Sequence, residues 1–121
     1  MNLDVERGRD WARVQLTGEI DLNWVEFERE ALSEFFANCP AFVVVDLRAV
    51  TFMDSTGLGF LARCVRSCNA NHGDVVVTGA NEMVRQMIDL TGLNQVLQVI
   101  KESAEQVLRE RVPTTSPVTG L

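Results

Sequence analysis

A chain of 121 residues, 46% apolar and 23% charged, has the length and make-up of one globular domain that buries a core without staples. Its 11 bases against 17 acids leave a net charge of −6, and the first fifty residues hold ten acids against five arginines. That balance argues against a nucleic-acid partner and against an anionic membrane surface, and no apolar run approaches the roughly 20 residues of a membrane span.

The predicted elements follow in chain order. "LDVE" (Leu3 to Glu6) reads as a short edge strand and "RGRD" (Arg7 to Asp10) as a turn. In "WARVQLTG", Trp11, Arg13, Gln15 and Thr17 alternate with Ala12, Val14, Leu16 and Gly18. That period of two is the mark of a half-buried strand, here antiparallel to the first. "GEIDLN" leads into a helix: Asn23 and Glu26 have the form of a capping box. Trp24, Phe27, Ala31 and Phe35 follow at helical spacing, Val25, Leu32 and Phe36 widen the apolar arc, and Pro40 closes the helix. "AFVVVDL" (Ala41 to Leu47) is a β-branched run that fits a strand covered on both faces.

A second helix is expected from about Thr56 to Asn71, with Leu58, Leu61, Ala62, Val65 and Asn69 in one arc and Gly73 as its stop. "DVVVTG" is the next buried strand, and "ANEMVRQMIDLTGL" a third helix ending at Thr91-Gly92. "VLQVI" is a last strand and "SAEQVLRER" a fourth helix. The order ββαβαβαβα predicts an α/β fold, a sheet parallel after its antiparallel N-terminal pair, with about four helices. The domain spans 1–111. Residues 112–121, "VPTTSPVTGL", have two prolines and no apolar period, and are expected to be disordered.

The start, Met1-Asn2-Leu3-Asp4, lacks the basic and apolar stretches of a signal peptide. With three cysteines, Cys39, Cys64 and Cys68, this fits reduced thiols in a cytoplasm. Cys64, Cys68 and His72 recur every four residues, but the spacing matches no zinc pattern, and buried cysteines often serve as small apolar groups. No metal or cofactor is expected. Enzyme motifs are lacking too: there is no G-x-S-x-G elbow, no Walker loop and no G-x-G-x-x-G, and the lone His72 lies too far from Ser55 to act as its base.

One junction stands out. In "VTFMDSTGLGFLARC", a buried strand gives way to a helix at Asp54-Ser55-Thr56, followed by Gly57 and Gly59. Such junctions lie at the carboxyl edge of the sheet, where sites form. Ser55 is placed to cap the helix. Glycine in a first turn costs roughly 0.5–1 kcal/mol relative to alanine, so two glycines point to a close approach to the backbone. At 100° per residue, Leu58, Leu61, Ala62 and Val65 face the core. Thr56, Phe60, Arg63 and Ser67 fall opposite, so Phe60 is expected to face solvent, one turn from Ser55, as part of a contact patch.

These residues resemble the STAS family, specifically the bacterial anti-sigma factor antagonists. "VVVDLRAVTFMDSTGLGFL" is similar to its central strand and phosphorylation loop, "VQLTGEIDL" to its strand and acidic loop, and "VVVTGANEMVRQMIDLTGL" to its later strand and helix. The resemblance covers about residues 10 to 110. It implies a partner switch. Unphosphorylated, such a protein binds an anti-sigma factor that is also a GHKL-type serine kinase, freeing the sigma factor. Phosphorylation, here at Ser55 or alternatively Thr56, blocks binding, and a protein phosphatase restores it. Asp21 matches the acidic position near the acceptor. The expected contact surface comprises Glu19, Asp21, Asn23, Asp54, Thr56, Gly57, Gly59, Phe60 and Arg63. Two alternatives stay open: a scaffold module in a signalling or transporter-associated complex, with Ser55 only a cap, and a small-ligand or nucleotide-binding domain of the same fold.

Overall fold

The computed structural model describes residues 2–111; the expected disordered tail lies outside them. Two strands open the chain, β1 (Leu3–Arg7) and β2 (Trp11–Ile20), paired antiparallel through Leu3 opposite Leu16 and Arg7 opposite Ala12. Two short helices follow, α1 (Leu22–Phe27) and α2 (Arg29–Ala37). Then come β3 (Phe42–Met53), α3 (Ser55–Ala70), β4 (Asp74–Thr78) and α4 (Glu82–Thr91). A 3-10 turn (Leu93–Gln95), β5 (Gln98–Ile100) and α5 (Ala104–Arg111) complete the described chain. The five strands lie in the order β1-β2-β3-β4-β5, and every pair after the first is parallel.

The buried valine runs form the centre of this sheet: Val43, Val44 and Val45 of β3 stand beside Val75, Val76 and Val77 of β4. Alternation sends them to two cores. Val43, Val45, Val75 and Val77 pack with Trp24, Leu32, Phe35, Leu61, Cys64, Val84 and Ile88, the inward sides of α1 to α4. Val44 and Val76 point the other way and pack with Ala104 and Val107 of α5. Covering both faces is what makes an all-apolar strand stable.

Three expectations about the helices change. The first predicted helix is two helices, broken at Glu28 (φ −101°, ψ 19°), whose buried carboxylate accepts the Asn2 backbone N–H at 3.2 Å. The break leaves Phe27 outside the core, 73% exposed. The cap of α1 is Asp21, which accepts the Trp24 N–H at 3.1 Å, and not Asn23. On α3 the core stripe runs through Gly57, Phe60, Leu61, Cys64, Val65 and Cys68, so Asn69 is exposed and both cysteines are core. The last turn of α3 is closed by His72 (φ 60°) in the left-handed region, and Gly73 N–H bonds the Cys68 carbonyl at 2.8 Å, the pattern of a Schellman stop.

Candidate functional site at the paired helix starts

The parallel pairing of β2 and β3 sets the geometry of the site. Register shifts between Gln15 and Thr17 and between Gly18 and Glu19 bring Ile20 level with Met53. Gly18 takes φ 86°, a conformation that favours glycine, at the second shift. Because Ile20 and Met53 are neighbours, the residues after them, Asp21 and Asp54, leave the carboxyl edge side by side. Asp54 N–H bonds the Ile20 carbonyl at 3.3 Å. Each aspartate then caps a helix: Asp21 through Trp24 N–H, and Asp54 by accepting the Thr56 N–H at 2.8 Å. The α4 start sits at the same edge, where Asn81 accepts Val84 N–H at 2.9 Å and donates to the Val50 carbonyl at 3.4 Å.

Ser55 is therefore not the cap. Asp54 holds that role, as a stronger acceptor with β-region backbone, and Ser55 is the first helical residue, exposed at the tip of α3. Thr56, behind it, is half-buried. The structure thus brings together Asp54, Ser55 and Thr56 with Asp21, the next helix start. Glu19 pairs across to Phe52, whose ring is partly exposed. Glu19, Asp21 and Asn23 line a shallow depression of about 450 Å³ together with Asn2, Trp24 and Phe27.

The two glycines have different causes. A Cβ on Gly57 would lie 2.3 Å from Met53 Cγ and 3.1 Å from Ile20 Cγ2, so the close approach there is α3 crossing the ends of its own strands. A Cβ on Gly59 would meet nothing within 4 Å, and Gly59 is exposed.

Phe60 is not solvent-facing. It is 6% exposed, with its ring 5.6 Å from Trp24 and 5.7 Å from Phe36 in edge-to-face contacts. Arg63 is exposed, but its guanidinium lies over the Phe36 ring at 4.2 Å. At Phe60, the flank of α3 that projection assigned to solvent is covered by Trp24 of α1 and Phe36 of α2, while Arg63 on the same flank stays exposed. The most exposed apolar groups on α1 are Leu22, 63% exposed at its first position, and Phe27 at its end; Phe52 and Met83 also reach solvent at this edge. The signal for Leu22 was its place directly after Asp21; nothing in the helical spacing revealed Phe27, because the break at Glu28 interrupts it.

Comparison with known proteins agrees with this architecture. A family model described as the STAS domain matches residues 2–106. An anti-sigma-B factor antagonist of Staphylococcus epidermidis is 32% identical over 101 residues, covering 82% of this chain and 94% of that protein. An anti-sigma factor antagonist from Mycobacterium paratuberculosis superposes with a TM-score of 0.73 at 28% identity, over 89% of this chain and 91% of that one. SpoIIAA of Bacillus shares the fold in its unphosphorylated form (TM-score 0.73, 20% identity, 92% of this chain and 97% of that one). In its phosphorylated form it does so with TM-score 0.72 and 22% identity, over 91% and 98%.

Proposed function

The chain belongs to the STAS domain family, and from that premise we propose that it is an anti-sigma factor antagonist switched at Ser55. In its unphosphorylated form it binds an anti-sigma factor with serine kinase activity. Phosphate on Ser55 turns binding off, and a protein phosphatase turns it on again. The chain is the substrate of that chemistry and performs none of it.

The observation that carries this reading is the position of Ser55, exposed at the first position of α3 beside the capping Asp54. A hydroxyl there is open to a kinase, whereas Thr56 is half-buried and its N–H is held by Asp54. A phosphate adds roughly −1.5 to −2 charges. The N-terminus of α3 accommodates an anion, so the fold tolerates the modification. A partner covering the same spot does not: the phosphate joins Asp54 and the Asp21 side of the edge, and an interface over it must desolvate the added charge. About 3 kcal/mol of lost binding is more than a hundredfold in affinity. SpoIIAA, known in both forms, supports a phosphorylation switch on this fold.

The test is incubation with ATP and a GHKL-type serine kinase that binds the chain, followed by phosphopeptide mapping. Phosphate is expected on Ser55. Ser55→Ala takes up none and keeps its affinity, and Ser55→Asp loses about a hundredfold or more. Phosphate on Thr56 would move the switch by one residue. No uptake in a tight complex would leave a constitutive scaffold.

A further inference from the structure

Three segments far apart in sequence meet around Cys39, at the opposite end of α3 from Ser55. Cys39 follows α2, is half-buried, and packs against the main core. Arg7, the last residue of β1, reaches over this loop and donates to the carbonyls of Asn38 at 2.7 Å and Phe35 at 3.3 Å. From α3, the Cys68 thiol donates to the Pro40 carbonyl at 3.5 Å, and Asn71 Nδ2 donates to the Cys39 carbonyl at 3.1 Å. These two bonds hold the last turns of α3 against the Cys39–Pro40 peptide, with the Cys68 thiol as the neighbour of Cys39. All three cysteines are free thiols.

The three sulfurs are not equivalent. The Cys68 side chain beside it holds the Cys39 thiol below its ordinary pKa; partial burial opposes this, and the charge of Arg7 and the nearby Ser67 add to the lowering. Cys68 is pushed up, by Cys39 and then by burial. Burial pushes Cys64 up as well. A half-buried thiol held below its ordinary pKa, with a second thiol beside it, is the arrangement of an oxidisable pair.

We propose that Cys39 and Cys68 are a reversible oxidation site, at which a peroxide converts the two thiols into an intramolecular disulfide tying the end of α2 to the last turns of α3. The Cys39 thiolate attacks one peroxide oxygen. An S–O bond forms, the O–O bond breaks, and the departing oxygen takes a proton and leaves as water or alcohol. The Cys68 sulfur then attacks the Cys39 sulfenic acid. The S–S bond forms, the S–O bond breaks, and the Cys68 proton leaves with the hydroxyl as water. The two thiols lose two electrons and the peroxide gains them. A Cys68 sulfur already set 3.5 Å from the carbonyl of Pro40, the residue after Cys39, has little distance to cover to reach the Cys39 sulfur. Cys64, fully buried one turn away, takes no part.

The experiment treats the full chain with hydrogen peroxide, alkylates it under denaturing conditions, and counts alkylated thiols by intact mass. The expected result is a fall from three to one. Trypsin cuts at Arg63 and Arg66, which places Cys64 and Cys68 in separate peptides. The peptide map is expected to join Cys39 to Cys68 and leave Cys64 alkylated. Cys64→Ala is expected to oxidise like the wild type, Cys68→Ser to leave a Cys39 sulfenic acid that dimedone traps, and Arg7→Gln to slow disulfide formation several-fold. Three alkylated thiols after treatment, a bridge through Cys64, or a bridge only between chains would each overturn the proposal.

Discussion

The starts of α1 and α3 are two versions of one design. Both follow the paired residues Ile20 and Met53, and both are capped by an aspartate. From there they diverge. The α1 helix lasts six residues, presents Leu22 and Phe27 to solvent, and stops at Glu28. The α3 helix runs for sixteen residues, buries a stripe along its length, and presents a serine where α1 presents a leucine. Of these two helix starts, only that of α3 carries a hydroxyl at its first position. The other offers apolar surface next to it. An exposed hydroxyl at one helix start thus shares an edge with an exposed leucine at the other, and under the proposed switch a phosphate on Ser55 would change the wetting of that surface.

The comparison is broken most severely at the ring that joins the two helices. Phe60→Ala removes the side chain between Trp24 and Phe36 and is expected to cost about 3–5 kcal/mol in denaturant unfolding. Leu22→Ala, on the exposed side, is expected to stay within about 0.5 kcal/mol. A cost below about 1 kcal/mol for Phe60→Ala would mean that α1 and α2 do not depend on α3 for their packing.

The two glycines sharpen the contrast between what the fold needs and what a partner needs. Gly57→Ala drives a methyl into Met53 and is expected to destabilise by about 1–3 kcal/mol. Gly59→Ala puts a methyl in open space and is expected to stabilise by about 0.5–1 kcal/mol. If Gly59→Ala nevertheless weakens partner binding in titration calorimetry, the partner approaches the first turn of α3.

The caps come next. Asp54→Ala and Asp21→Ala are each expected to cost about 0.5–2 kcal/mol. Hydrogen exchange separates them: the first is expected to expose the Thr56 amide and the second the Trp24 amide. The smallest effect is the most informative. Since Ser55 is not the cap, Ser55→Ala is expected to shift unfolding by less than about 0.5 kcal/mol, and Ser55→Asp to be neutral or slightly stabilising at the helix N-terminus. Any large change in partner affinity in these variants then reports the surface and not the fold. A loss of more than about 1 kcal/mol in Ser55→Ala would return the capping role to the serine.

The main elements were legible in the residues because their signals are local. Alternation in β2, the valine runs of β3 and β4, and the Thr91-Gly92 stop of α4 each need only their own neighbours, and the D-S-T-G junction marked the helix start of interest. What the residues left open was decided by contacts between segments. Whether Asp54 or Ser55 caps α3 turns on one residue of backbone conformation. Whether Phe60 is buried depends on α1 and α2 lying against a flank that a projection of α3 treats as free. At the break, the Glu28 carboxylate accepts the Asn2 amide, 26 positions away, a contact that no local pattern encodes. Periodicity along one chain segment measures where apolar groups point, and only the assembled molecule supplies what they point at.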